Sequence, residues 1–182
     1  MPDSQFPNPL DLEIDLLLGM RCEDSLKESK LQELGISFGT AKDIAKQVDT
    51  KLQFGRDQFE NLRRILDIDP GSGENPTLSY RLNLWPDFNF VVTSESGHWS
   101  MARFVRAADA PAPDLSAPGN LEPWSVCIQD LESEFPTLRC TDAFPPWEEF
   151  IFEDLSGVRY GADFSYGLLQ QIEVLPGKQS PM

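Results

Sequence analysis

A chain of 182 residues, 40% of them hydrophobic and including 12 Phe, 4 Trp and 3 Tyr, has enough apolar material for an ordinary core without metal or disulfide support. Its three cysteines, Cys22, Cys127 and Cys140, form neither an even framework nor a CxxC pair, which argues against a disulfide scaffold and a cysteine zinc site. Thirty acids against fifteen bases give a net charge of −15, a field that repels nucleic-acid phosphates and anionic membrane surfaces.

The first 68 residues read mainly as helices. Residues 10–16 alternate apolar and acidic positions in the manner of a strand. Asn8-Pro9 before them and Leu17-Leu18 after them suit a helix start and an apolar face instead, and helix is the reading taken here. Ser25 can cap a short helix from Leu26 to Leu34, with Gly35 at the left-handed position that closes it. Thr40 opens another, in which Ala41, Ile44, Ala45, Val48 and Leu52 recur at helical spacing while Lys42, Lys46 and Lys51 lie outside that stripe. A further helix from about Arg56 to Leu66 stacks Phe59, Leu62 and Leu66. Residues 67–76 then concentrate Asp, Gly, Asn and Pro and break the pattern.

Beyond that break the apolar period becomes that of a strand. Leu78, Tyr80, Leu82 and Leu84 alternate with Ser79, Arg81 and Asn83, and Pro86 ends the run. Phe88, Phe90 and Val92 start a second strand, Ser94–Gly97 makes a turn, and His98 to Val105 return, so three strands form an antiparallel meander. Residues 107–123 hold four prolines without apolar periodicity and read as a long Pro/Ala-rich loop or linker. The stretch after it would bury only about 60% of its unfolded surface if it stood alone. One α+β domain over 1–182 is therefore expected, with a helical part at about 8–68 and a sheet part at about 77–176. In it the N-terminal helices pack on a mainly antiparallel sheet of meander type. The later strands are expected at Trp124–Ile128, Thr137–Cys140, Phe150–Glu153, Val158–Ala162 and Leu169–Val174, with Asp154–Gly157 as a hairpin turn.

Few residues carry a chemical signature. The lone histidine, His98, stands beside Ser96 and Ser100 with no elbow or oxyanion hole, and one histidine leaves no zinc pattern. Pro70–Glu74 resembles a phosphate loop only in its glycines and lacks the Gly-Lys-Ser/Thr that should follow, so it reads as a turn. Residues 26–48 have the outline of helix, Gly turn, helix, with Lys42 and Lys46 available to phosphates. The first helix, however, holds a bulky Leu31 where a DNA-reading motif needs a small residue, and Glu28 and Glu33 spoil its surface charge, so an antiparallel helical pair is the expectation. The acids around 130–154 do not match a calcium loop, and abundance alone assigns no acid/base pair. No catalytic residue, cofactor or metal is expected.

What remains is where the charge sits. Residues 108–182 hold 13 acids against 3 bases, whereas residues 37–68 are close to neutral. Within the acidic part, Asp130, Glu132, Glu134, Glu148, Glu149, Glu153 and Asp154 interleave with Phe144 and Trp147. Aromatics anchor interfaces and acids steer a cationic partner, so these nine residues are the expected partner-binding set. The function expected is that of a non-enzymatic inhibitor or immunity-type protein that neutralises a basic partner, without direct nucleic-acid or membrane binding. A secretion chaperone or adaptor, and a small enzyme working with carboxylates alone, are the two alternatives. The amino terminus carries acids where a secretory leader carries bases, and no run reaches about 18 apolar residues, so a cytoplasmic location is expected. The oligomeric state is left open.

Overall fold

The computed structural model describes residues 6–70 and 75–176. The fold is α+β; among the described residues four helices precede the first strand and the strands form two antiparallel sheets of three and four. The chain divides into two compact units, Met1–Ala102 and Arg103–Met182. The later strands thus form a sheet of their own.

In the first unit, α1 (Pro9–Gly19) starts where Asn8 accepts backbone N–H groups of Leu10 and Asp11, and Pro9 fills the first turn. Alternate residues on a helix point to nearly opposite sides, so the strand-like alternation of 10–16 wraps apolar groups around every flank. The result is a central helix. Leu12, Ile14, Leu16 and Leu17 are fully or nearly fully buried, and Glu13 is carried inside with them. Around α1 stand α2 (Asp24–Glu33), α3 (Phe38–Lys51) and α4 (Gln58–Leu66), with α3 its main neighbour. Gly35 closes α2 in the left-handed region at φ 67°, as its position in the sequence predicts. The cap of α3 is Ser37, whose hydroxyl accepts from the Thr40 N–H, so the helix begins before Thr40.

The three-stranded sheet runs β1 (Thr77–Arg81), β2 (Phe88–Glu95) and β3 (His98–Arg106), in that order. Past Arg81 the Leu82 N–H still bonds the Phe88 carbonyl, but the pairing goes no further toward Leu84, because the N–H groups of Asn83 and Leu84 both bond the Glu13 carboxylate. Ser96 and Gly97, both at positive φ, form the two-residue turn between β2 and β3. A side chain at Gly97 would place its Cβ 2.5 Å from the Arg56 carbonyl oxygen, so this turn also needs glycine for close approach. Residues 71–74, which carry most of the phosphate-loop resemblance, lie outside the described residues, as do residues 1–5 at the amino terminus.

A second acid on α1 has a thermodynamic consequence. Burial pushes the Asp15 carboxyl up to about 7, and the negative charge of Asp49 on α3 adds to the effect. The folded protein therefore keeps a proton that the unfolded chain releases near 3.8. Stability from this group is complete below the unfolded value and is lost as pH rises toward 7. Urea unfolding at pH 5 and pH 8 should differ by roughly 2–4 kcal/mol from this source. Asp15→Asn should flatten that difference; an unchanged slope would show that Asp15 is ionised throughout.

The second unit opens with the end of β3 and the Pro/Ala-rich loop. Lacking periodicity, the loop nevertheless brings Leu115 and Leu121 against the core of this unit and buries Pro118 in a short 3-10 turn. Residues 124–128 do not make a full strand. They run beside the last strand, joined by bonds between Trp124 N–H and Leu169 O and between Leu169 N–H and Val126 O, with one bridge from Cys127 to Leu168. They then turn into an unexpected helix, α5 (Ile128–Glu134). The cause is Asp130, whose carboxylate accepts the Cys127 N–H and caps the helix start.

The four-stranded sheet follows in sequence order: β4 (Arg139–Phe144), β5 (Trp147–Glu153), β6 (Arg159–Ser165) and β7 (Leu168–Val174). Asp154 shapes the β5–β6 turn, accepting the N–H groups of Ser156 and Val158. One sheet face supplies Phe150, Phe152, Tyr160, Ala162 and Phe164 to a core that also takes Ile128 and Leu131 of α5. Aromatic contacts bind it, with Phe135 and Phe152 centroids 4.6 Å apart and Phe150 edge-on to Phe164 at 5.5 Å.

Candidate functional site

Strand alternation sorts the acids of β5. Phe150 and Phe152 point into the core, so Trp147, Glu149, Ile151 and Glu153 lie on the opposite face of the sheet, and Glu148 has the parity of the core face. Register adds residues from neighbouring strands. Asp142 stands opposite Glu149, Glu149 opposite Asp163, and Phe144 opposite Trp147. Like charges placed directly across strands disfavour the sheet slightly, by about 0.2–1 kcal/mol for such pairs.

At the end of the β4–β5 hairpin the two aromatics form a step. The rings of Phe144 and Trp147 stack with centroids 6.1 Å apart and planes 16° from parallel. Phe144 is 70% exposed, whereas Trp147 is half-buried. Between them the chain turns through Pro145-Pro146, whose peptide bond is cis. All six residues of β4 are exposed. Its edge is nonetheless blunted: a bulge interrupts the ladder between Cys140 and Asp142, and the Asp142 carboxylate accepts the Ala143 N–H at 2.9 Å.

The nine expected partner-binding residues therefore separate. Phe144, Trp147, Glu149 and Glu153 share one face, with Glu148 at the same end of the hairpin on the other side. Glu132 and Glu134 are exposed on α5. Asp130 is turned inward, 10% exposed, in an ion pair with Arg106 at 2.8 Å. Asp154 is engaged by its own turn and by the Tyr160 hydroxyl, and hydrogen bonds from Ser156 hold its carboxyl below the usual carboxylate range. Asp142 and Asp163 were not in the expected set. The first was within reach of sequence reasoning, because a two-residue turn at Pro145-Pro146 pairs Phe144 with Trp147 and counts back to place Asp142 near Glu149.

Elsewhere the chemistry is sparse. His98 starts β3 with its ring 4.9 Å from that of Phe54, while the Ser100 hydroxyl donates to the Thr93 carbonyl. A hollow of ≈ 360 Å³ in the first unit is lined by Phe6, Arg63, Arg64, Asp67, Ile68 and Asp69. Asp69 is bound there by Arg63 at 2.7 Å, and Arg63 also grips Glu60 at 2.9 Å. A smaller hollow of ≈ 130 Å³ beside β4 and β5 contains a single carboxylate, Glu153. Asp15 lines neither hollow. Among the described residues no group of three or more His, Cys, Asp or Glu side chains is arranged to hold a metal ion, and no helix is long and apolar enough to cross a membrane.

No protein-family model matches this chain, and comparison with curated protein sequences and with solved structures returns no significant similarity.

Proposed function

We propose that the chain is a non-enzymatic binding protein of the inhibitor or immunity type, and that it meets a basic protein through the end of the β4–β5 hairpin. The observation that carries this reading is Phe144, 70% exposed on top of Trp147, with Asp142 and its ladder partner Glu149 on the same face. A large aromatic held in water forgoes about 1.5–3 kcal/mol of burial. An interface recovers it. Stacking on Trp147 restricts the Phe144 ring before any encounter, which lowers the entropy cost of association. The surrounding carboxylates favour a cationic surface and raise its rate of encounter at low salt.

The two components make separable predictions in titration calorimetry and stopped-flow association with the basic partner. Phe144→Ala should weaken binding about tenfold or more through faster dissociation, with the salt dependence retained. Asp142→Lys with Glu149→Lys should slow association and reduce the salt dependence. Glu132→Lys with Glu134→Lys measures whether α5 belongs to the same footprint. Affinity and salt dependence unchanged in both hairpin variants would remove this surface from the function.

A further inference from the structure

We draw no further inference here: the strongest candidate, the exposed Phe144–Trp147 step at the end of the β4–β5 hairpin, belongs to the surface already taken up in the proposed function, and nothing in the structure shows what covers it.

Discussion

Replacing Arg106 with Ala should cost about 3–5 kcal/mol of stability, because it strips the partner from a buried carboxylate rather than removing a surface charge. The pair is enclosed on both sides, with Arg106 14% and Asp130 10% exposed. Two parallel bonds join them, from Arg106 Nε to Asp130 Oδ1 at 2.9 Å and from a terminal guanidinium nitrogen to Asp130 Oδ2 at 2.8 Å. The same carboxylate accepts the Cys127 N–H at 2.8 Å, so it organises the start of α5 as well. From Arg106, further bonds reach the carbonyls of Pro111 and Ser125. One guanidinium therefore pins both ends of the Pro/Ala-rich loop.

That network makes the consequence more specific than a fall in the unfolding midpoint. Amide exchange in Arg106→Ala should rise first around residues 111–128, where the anchored carbonyls and the helix start are lost. Lysine at this position should rescue only part, since it lacks the planar fork that serves two carbonyls and a carboxylate together. Arg106→Met combined with Asp130→Leu should lose less than the two single changes added, because no unpaired charge is left inside. A cost below about 1 kcal/mol for Arg106→Ala would mean that the pair behaves as a solvated surface contact.

The same residues show what a reading of the sequence can and cannot see. Phe88, Phe90 and Val92 point to a strand through their spacing, and the turn at Ser96-Gly97 is local chemistry, so the meander of β1 to β3 was legible. The hairpin at Asp154–Gly157 was legible for the same reason, since Asp154 does its work within four residues. Helix α5 was hidden because it is only seven residues long and its acids resemble a solvated run. Its start depends on Asp130, whose charge is stabilised by Arg106 24 residues away in the chain. Periodicity carries no information about such a pairing.

The candidate site was legible to about the same depth. Phe144 and Trp147 lie close in sequence and also in space, so an aromatic pair there needed no long-range knowledge. Treating the acids of 130–154 as one surface failed for Asp130 and Asp154, which hold the fold together. The alternation of β5 further sends Glu148 and Glu149 to opposite sides. Net charge is a property of composition, but a charged face is a property of register. The two-residue turn at Pro145-Pro146 sets that register for Asp142, and a one-residue slip would send it to the other face.

Glu13→Ala should be the most damaging single change in the first unit, at roughly 3–5 kcal/mol, because it orphans several donors at once. The side chain is fully buried. One of its oxygens accepts from the Asn83 backbone N–H at 3.0 Å and from the Asn83 side-chain amide at 2.9 Å, and the other accepts the Leu84 N–H at 2.6 Å. Truncation leaves those groups facing a cavity between α1 and the β1–β2 connection. Glu13→Gln keeps one acceptor oxygen but turns a donor toward the second site, so its cost should fall between wild type and Ala, at about 1–3 kcal/mol. Tryptophan fluorescence during urea unfolding, to which Trp85, buried directly after Leu84, contributes, supplies the readout. The expected order of midpoints is wild type, then Gln, then Ala. If Ala unfolded at or above the Gln midpoint, hydrogen bonding to α1 would not be what holds residues 83 and 84, and apolar packing of Leu84 and Trp85 would have to account for the early end of β1.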